Sequence, residues 1–494
     1  MIKSFPLARS QYKIFKHEGV EVIYNIEFPY YTRSLPLLKE LLSFRLINNK
    51  SQLNELKSNY GEKKVQNAMN WLVKKNFFKG SNEKDYNEIT TSDREYDQNI
   101  HTIVLSISHD CNLACSYCYA DRGRYGGQKG FCSFHTAKAT VDFLFENSGE
   151  HEKLKFFFFG GEPLLNFSLV QKVVPYIRKK EREYGKHVRI GFTTNATILT
   201  KKIIDFCNDN DIYIHVSIDG PKHIHDINRP FPNKIGSFDL IKKNLQYLFE
   251  TRPKGVSSRA TFTHGNIHLI KSIQSILEMG FASVYIGPAS GLHESSIRQE
   301  DLGTVMNQYN SLMQMYIEKK KNNERFPVNP LDLKVKQCNR RRLKARLYGC
   351  GAGRGYVAVT KDGDIFPCKK CIESGYFRLG DIYDGISEEM HKYFLTNIVT
   401  KPTKECSSCW VRFLCGGSCI MRPLEYGVMD IDKSYNFLCE ITKYIYKLAM
   451  IINIKLEEMH MATLWPRFKL ERDLTRIPEE EFSKNWKYNL IHIY

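Results

Sequence analysis

The chain has 494 residues, 42% hydrophobic and 26% charged, an ordinary globular balance that excludes a collagenous, coiled-coil or disordered chain. No apolar run approaches the roughly 18 residues of a membrane span, and the basic start MIKSFPLARSQYK lacks the apolar centre of a secretory signal, so the expectation is a cytoplasmic protein with no membrane partner. The net charge of +18 fits a solvated basic surface, an acidic peptide partner or nucleic acid, and composition alone does not choose.

In chain order, residues 20–26 read as extended. Leu37, Leu38, Leu41 and Leu42 mark a helical face behind Ser34, a second helix opens at Ser51 and stops near Gly61, and Val65, Met69, Leu72 and Val73 form the stripe of a third that ends before Gly80. Three short helices with flanking strands make residues 1–95 resemble a winged helix-turn-helix, a shape that serves DNA binding, peptide recognition or structure alone. The polar run 81–98 reads as a linker. Strands are then expected at 102–107, 155–159, 188–193, 213–218, 258–263 and 283–286, with helices between them, for example 169–184, 238–249 and 268–279. Six βα units imply an α/β domain over 96–310, a parallel barrel or partial barrel whose strand ends gather on one functional rim. Residues 311–345 read as a polar, basic helical connection, 346–440 as a cysteine-rich domain, and 441–494 as a tail that is helical over 441–456.

The 14 cysteines cluster, which in a cytoplasmic chain points to metal or redox chemistry rather than disulfides. Cys111, Cys115 and Cys118 stand at C-x3-C-x2-C spacing in the loop after the first barrel strand. Thiolates so spaced can hold a [4Fe-4S] cube, and three of them leave one iron open, where a closed site would be structural. A zinc site would want a fourth ligand, for which His109 is the candidate.

With Tyr117 as its aromatic residue, the triplet is similar to the C-x3-C-x-aromatic-C motif of the radical S-adenosylmethionine superfamily. Further elements follow in that family's order: Gly160-Gly161-Glu162-Pro163 after the second strand, Thr193-Thr194-Asn195 after the third, Ser217-Ile218-Asp219-Gly220 after the fourth with His225, Asp226 and Arg229 behind it, and Arg259 and Thr261 on the fifth. The resemblance implies that the amine and carboxylate of S-adenosylmethionine chelate the open iron. It implies a cofactor-binding set of Tyr117 against the adenine, Gly160 and Gly161 allowing close backbone approach, Glu162 accepting from the ammonium, Ser217 at the ribose or carboxylate, and Arg229 or Arg259 forked onto the carboxylate, with Asn195 and Asp219 beside them. It also implies reductive cleavage to a 5′-deoxyadenosyl radical that takes hydrogen from an unactivated C–H, fed by an external one-electron donor such as a flavodoxin or ferredoxin. No catalytic side chain is assigned.

The later cysteines are similar to the SPASM extension of peptide-modifying radical enzymes, with two auxiliary clusters and so three [4Fe-4S] clusters in all. Carried over, Cys350, Cys368 and Cys419 bind an inner cluster, and Cys406, Cys409, Cys415 and Cys439 an outer one. Cys371 is the expected fourth inner ligand and Cys338 a poorer candidate; the alternative is an iron open to a substrate thiolate. A zinc ribbon at 406–419 is the rival reading. Cys132 and Cys207 read as small buried hydrophobes. Sulfatase-maturing relatives carry an Asp after the cysteine matching Cys368; Lys369 stands here, which ranks sulfatase maturation low.

Residues 1–95 also resemble leader-recognition elements, which bind a precursor's leader as an added strand, with 20–26 as scaffold. The expected function is therefore maturation of a ribosomally made precursor peptide. A thioether is the expected product, because the stretch from Cys350-Gly-Ala-Gly to Cys368 resembles that of thioether-forming maturases. A carbon–carbon crosslink or epimerisation is the alternative. From other classes come an RNA-modifying radical enzyme and a DNA-binding iron–sulfur sensor. The SPASM-like cysteines argue against the first and the intact S-adenosylmethionine motifs against the second, so a nucleic-acid partner is not expected.

Overall fold

The computed structural model describes residues 8–9, 11–43, 50–79, 99–252, 255–339, 346, 349–399, 404–417, 419–426 and 436–464. The expected linker at 81–98, the end of the connection at 340–345 and the tail beyond 464 lie outside these.

At the N-terminus β1 (Ala8–Arg9) pairs with β5 (Phe78–Lys79), and between them β2 (Tyr12–His17), β3 (Val20–Asn25) and β4 (Tyr30–Arg33) form an antiparallel meander. Three helices follow it, Pro36–Ser43, Lys50–Tyr60 and Glu62–Lys74, where the apolar spacing predicts them. Side chains alternate across a strand, so β3 serves two cores. Ile23 packs with Leu38, Leu41 and Leu72 of the helices, while Val20, Val22 and Tyr24 join the main core of the molecule. The 20–26 run is thus the central strand, paired on both sides. An added peptide strand has to use an outer edge, of β2 or of β4.

The main sheet has eleven strands among the described residues. β6 (Thr102–Ser108), β7 (Lys153–Gly160), β8 (His187–Thr194), β9 (Tyr213–Ser217), β10 (Ser257–Phe262) and β11 (Ser283–Pro288) pair in chain order and in parallel. These are the six strands the sequence predicts. Phe156, Phe158, Ile190, Phe192 and Val216 are fully buried under the helices; the alternate residues, Phe159, Thr193 and Ser217 among them, face the interior. Ser133 and Thr200 each accept a backbone N–H and cap the helices Phe134–Glu146 and Lys201–Asp209, worth about 1 kcal/mol apiece.

Both edges go beyond the expected barrel. β12 (Val328–Asn329) adds in parallel to β11, inside the stretch read as a polar connection. Two residues are too few to show an alternation, yet Val328 and Leu331 are fully buried. At the other edge β13 (Tyr356–Val359) pairs in parallel with β6, and β14 (Asp364–Phe366), β15 (Gly380–Asp381) and β16 (Gly385–Ile386) continue antiparallel. The cysteine-rich region therefore begins as part of the barrel sheet. Among the described residues that sheet stays open between β12 and β16.

The C-terminal helix, Asn436–Leu464, starts before and ends after the expected 441–456. It buries Ile445, Leu448, Ile451 and Ile452, and Tyr446 reaches the Leu414 carbonyl through its hydroxyl at 2.5 Å. No helix among the described residues is long and apolar enough to cross a membrane.

Candidate active site

The C-terminal ends of β6–β9 surround one cavity, lined by Cys111, Cys115, Tyr117, Cys118, Tyr119, Phe159, Gly160, Gly161, Glu162, Thr193, Asn195, Ser217 and Arg229. The cysteine loop is pinned by its own backbone: Ala114 N–H donates to the Pro230 carbonyl at 2.8 Å and Ser116 N–H to that of Asn228 at 3.0 Å. The glycines serve loop packing. A Cβ on Gly160 would stand 2.2 Å from Ser108 O, and one on Gly161 2.2 Å from Asp110 O. Backbone thus meets backbone, and the Glu162 N–H donates to Asp110 O at 2.9 Å.

Glu162 is 1% exposed. Its carboxylate accepts from Thr194 Oγ1 and Asn195 N, each at 2.7 Å, and from Leu164 N at 3.1 Å. All three donors are neutral. Burial pushes this carboxyl up to about 7 against those hydrogen bonds. Burial likewise lifts the thiols of Cys111 to about 12, helped by Glu162, and of Cys115 to about 11, opposed by Arg229.

Asp219 braces the other wall. It accepts from the Tyr117 hydroxyl at 2.6 Å and Thr261 N–H at 2.8 Å, and Arg229 Nε stands 3.0 Å from its Oδ2. The Arg229 guanidinium lies 5.3 Å from the Tyr117 ring centre. Asp219 itself is not among the lining residues, and neither is Arg259; of the two candidate arginines, Arg229 reaches the cavity. His225 and Asp226 are structural: His225 Nε2 meets Ser237 Oγ at 3.0 Å, and Asp226 accepts from Phe238 N–H at 2.8 Å. Sequence reasoning missed Phe159 and Tyr119. The signal for Phe159 is its interior register one residue before Gly160.

The implied groups fit this cavity. Three thiols converge, and beside them the buried Glu162 carboxylate meets no cation among the described residues, the partner an ammonium would supply. A zinc ion with His109 does not fit: His109 packs on Tyr125 at 5.1 Å between ring centres and does not line the cavity. Among the described residues no three Cys, His, Asp or Glu stand close enough to hold a single metal ion.

The remaining cysteines gather in two sets. Cys350 lies within electrostatic reach of Cys368 and Cys419, and Cys371 of the same two; Cys368 and Cys371 have their sulfurs 3.5 Å apart. Cys415 lies in reach of Cys406 and Cys439, and Cys409 of Cys406. Tyr119 lies within electrostatic reach of both Cys118 and Cys368, and all three pack against one buried cluster. Cys338 joins neither set directly; it is buried, its carbonyl accepts from the Tyr31 hydroxyl at 2.7 Å, and its thiol is near Lys334. Cys132 and Cys207 are buried core residues.

Residues 105–289 match the family model described as the Radical SAM superfamily. An uncharacterized protein of Methanocaldococcus jannaschii is 31% identical over 184 residues, 37% of this chain and 60% of that protein. The radical SAM cyclopropyl synthase TigE of Paramaledivibacter caminithermalis is 22% identical, covering 84% of this chain and 87% of its own. A cysteine-type anaerobic sulfatase-maturating enzyme of Clostridium perfringens is 22% identical over 71% of this chain and 97% of its own. Among solved structures, native anSMEcpe with bound AdoMet superimposes with a TM-score of 0.62 at 20% identity, over 72% of this chain and 99% of that one. Streptococcus suis SuiB bound to precursor peptide SuiA gives 0.50 at 14% identity, over 87% and 100%. The motifs, the cavity at the strand ends and these likenesses agree that residues 105–289 are a radical S-adenosylmethionine domain, in a chain that resembles SPASM-type maturases.

Proposed function

We propose that the chain is a cytoplasmic maturase that modifies a ribosomally made precursor peptide, and that its product is a thioether between a cysteine thiol and a carbon of another residue. The observation that carries the radical chemistry is the meeting of Cys111, Cys115 and Cys118 with the Glu162 carboxylate, which accepts from neutral donors, in one cavity; the thioether rests on the likeness of the stretch from Cys350 to Cys368 to thioether-forming maturases. Cys111, Cys115 and Cys118 would hold a [4Fe-4S] cluster. S-adenosylmethionine would lie on Glu162, Ser217, Asn195 and Arg229, with Tyr117 against its adenine. When bound, this pair supplies one-electron reduction and a carbon radical strong enough to take hydrogen from an unactivated C–H.

The chain's own residues do the rest. Glu162 takes the ammonium charge, Arg229 is held by Asp219 for the carboxylate, and Phe159 and Tyr119 keep water from the reacting carbon. Cys350, Cys368, Cys371 and Cys419 would hold one auxiliary cluster, and Cys406, Cys409, Cys415 and Cys439 the other. Closing a C–S bond from a carbon radical and a thiol releases one proton and one electron, and a cluster held by the Cys368, Cys371 and Cys419 set, which packs in one group with Cys118 and Tyr119, would accept that electron. The N-terminal unit would take the leader on a free edge of β2 or β4, and a flavodoxin or ferredoxin would supply electrons.

SuiB, whose structure is bound to a precursor peptide, and the sulfatase-maturating enzyme, named for maturing a protein, support peptide or protein work over nucleic acid. The test is mass spectrometry of a candidate precursor from the neighbouring reading frames after anaerobic reaction. A loss of two hydrogens, about 2 Da, with one cysteine resisting alkylation supports the thioether. Full alkylation with the same loss indicates a carbon–carbon link, and unchanged mass with deuterium from solvent indicates epimerisation.

A further inference from the structure

The six strands β6–β11 contain no Asp or Glu. On their interior face they carry Lys153, Lys155, Arg189 and Arg259, so the barrel is lined by one sign of charge. Arg259 stands in register with Ser217 on one side and Tyr285 on the other, one strand away from the cavity wall. Its guanidinium lies 4.5 Å from the Tyr285 ring centre, which fixes the plane of the fork and leaves its N–H groups open. Lys369, from the turn after Cys368, enters from the opposite side with Nζ 4.0 Å from the centre of Phe159, a residue of the cavity wall. The two cations lie within each other's electrostatic reach. Among the described residues neither is paired with a carboxylate. Within electrostatic reach of Arg259 and Arg189, His215 buries an Nδ1 that has no hydrogen-bond partner among the described residues.

The Cys368 thiol bears on Lys369 and the Tyr285 hydroxyl on Arg259, but no carboxylate among the described residues offsets the two neighbouring cations, and such a pair favours an arriving anion. Neither Glu162 of the cavity nor Asp219 behind it is placed to relieve them: Asp219 is held by Arg229 and Tyr117, and Glu162 is enclosed by Thr194, Asn195 and Leu164. We propose that the barrel interior beside the cavity is a carboxylate subsite, in which Arg259 and Lys369 grip an acidic group of the peptide being modified, an Asp or Glu side chain or the C-terminal carboxylate. This rests on the reading of the cavity as the radical site, and adds that the modified segment is acidic close to the carbon that loses hydrogen. Arg259 supplies bidentate geometry and Lys369 a point charge, so together they orient the segment as well as attract it.

The test is a binding ratio. N-acetyl-glutamate amide and N-acetyl-glutamine amide are titrated by NMR into the cluster-loaded enzyme with S-adenosylmethionine present. The glutamate probe should bind at least roughly tenfold more tightly, with the ratio falling toward one in Arg259→Gln and in Lys369→Gln. Iron content and binding of the glutamine probe show that each variant is folded. N-acetyl-alanine and its amide form the second arm: a preference for the free acid there, without one for the glutamate side chain, makes the chain terminus the anion. A ratio near one for both pairs of probes in the unaltered enzyme, or an unchanged ratio in both variants, overturns the subsite. So does weakened S-adenosylmethionine binding in Arg259→Gln with the ratio intact, which puts Arg259 on the cofactor. The ratio is read without turnover, so failure of S-adenosylmethionine cleavage bears on the radical reading alone.

Discussion

Glu162 and Asp219 are two buried carboxylates a few strands apart, and their partners make them opposites. Glu162 accepts only from neutral donors, and its folded pKa of about 7 lies above its ordinary 4.5. The native state therefore keeps the proton to higher pH. Stability that is full below about pH 4.5 is lost as pH rises through 7, by about 3 kcal/mol over that interval. In cofactor-free protein, Glu162→Gln should flatten this fall in thermal melts between pH 5 and 8; parallel curves for both proteins would show that the burial is not its source. Asp219 is paired, with Arg229 at 3.0 Å. Asp219→Asn leaves a buried guanidinium uncompensated and should cost about 3–5 kcal/mol in urea unfolding; a loss under about 1 kcal/mol would mean that Arg229 finds another anion. The sequence cannot separate Arg229 from Arg259, because each is an arginine beside a strand end. What separates them is that the chain after β9 turns back through the helix Lys222–Asn228, which brings Arg229 onto Tyr117.

At the scale of elements, the N-terminal unit is docked. The even-numbered face of β3 shares a core with the C-terminal helix, Phe15 and Tyr24 pack on Trp410 at 5.5 and 5.9 Å between ring centres, and Lys455 pairs with Glu18 at 2.7 Å. Tyr31→Phe removes the buried hydrogen bond to the Cys338 carbonyl and should cost about 1 kcal/mol in chemical denaturation. Deleting residues 1–98 would uncover the part of that helix that β3 and β4 pack on, so loss of precursor binding in such a deletion would not by itself locate the leader. The helices of this unit were readable because Leu37, Leu38, Leu41 and Leu42 repeat at helical spacing. The docking was not, because β3 buries apolar residues at both odd and even positions, Val22, Ile23 and Tyr24 among them, and such a pattern names no partner. β12 escaped for a different reason: its place in the sheet is set by neighbours, and two residues have no period.

For the whole molecule, the grouping of thiols sets the metal count. Replacing Cys111, Cys115 and Cys118 by Ala together should abolish 5′-deoxyadenosine formation and leave about eight irons per chain, two four-iron clusters. Iron near zero with zinc at 406–419 would refute the auxiliary clusters. Cys111, Cys115 and Cys118 were legible as one site because their ligand spacing is local. Cys350 and Cys419 were grouped by resemblance, since nothing between them in the sequence dictates that they meet.

The pairing of β13 with β6 has a temporal side. Thr102 waits for Tyr356, about 250 residues later, which at roughly 5–20 residues per second of synthesis is on the order of 10–50 s. Until then the outer edge of β6, an apolar TIVLSIS strand, is an open template for another nascent chain. A chain stopped after β12 should accumulate as aggregates, and one stopped after β14 should not, as read by the soluble fraction on expression at equal rates.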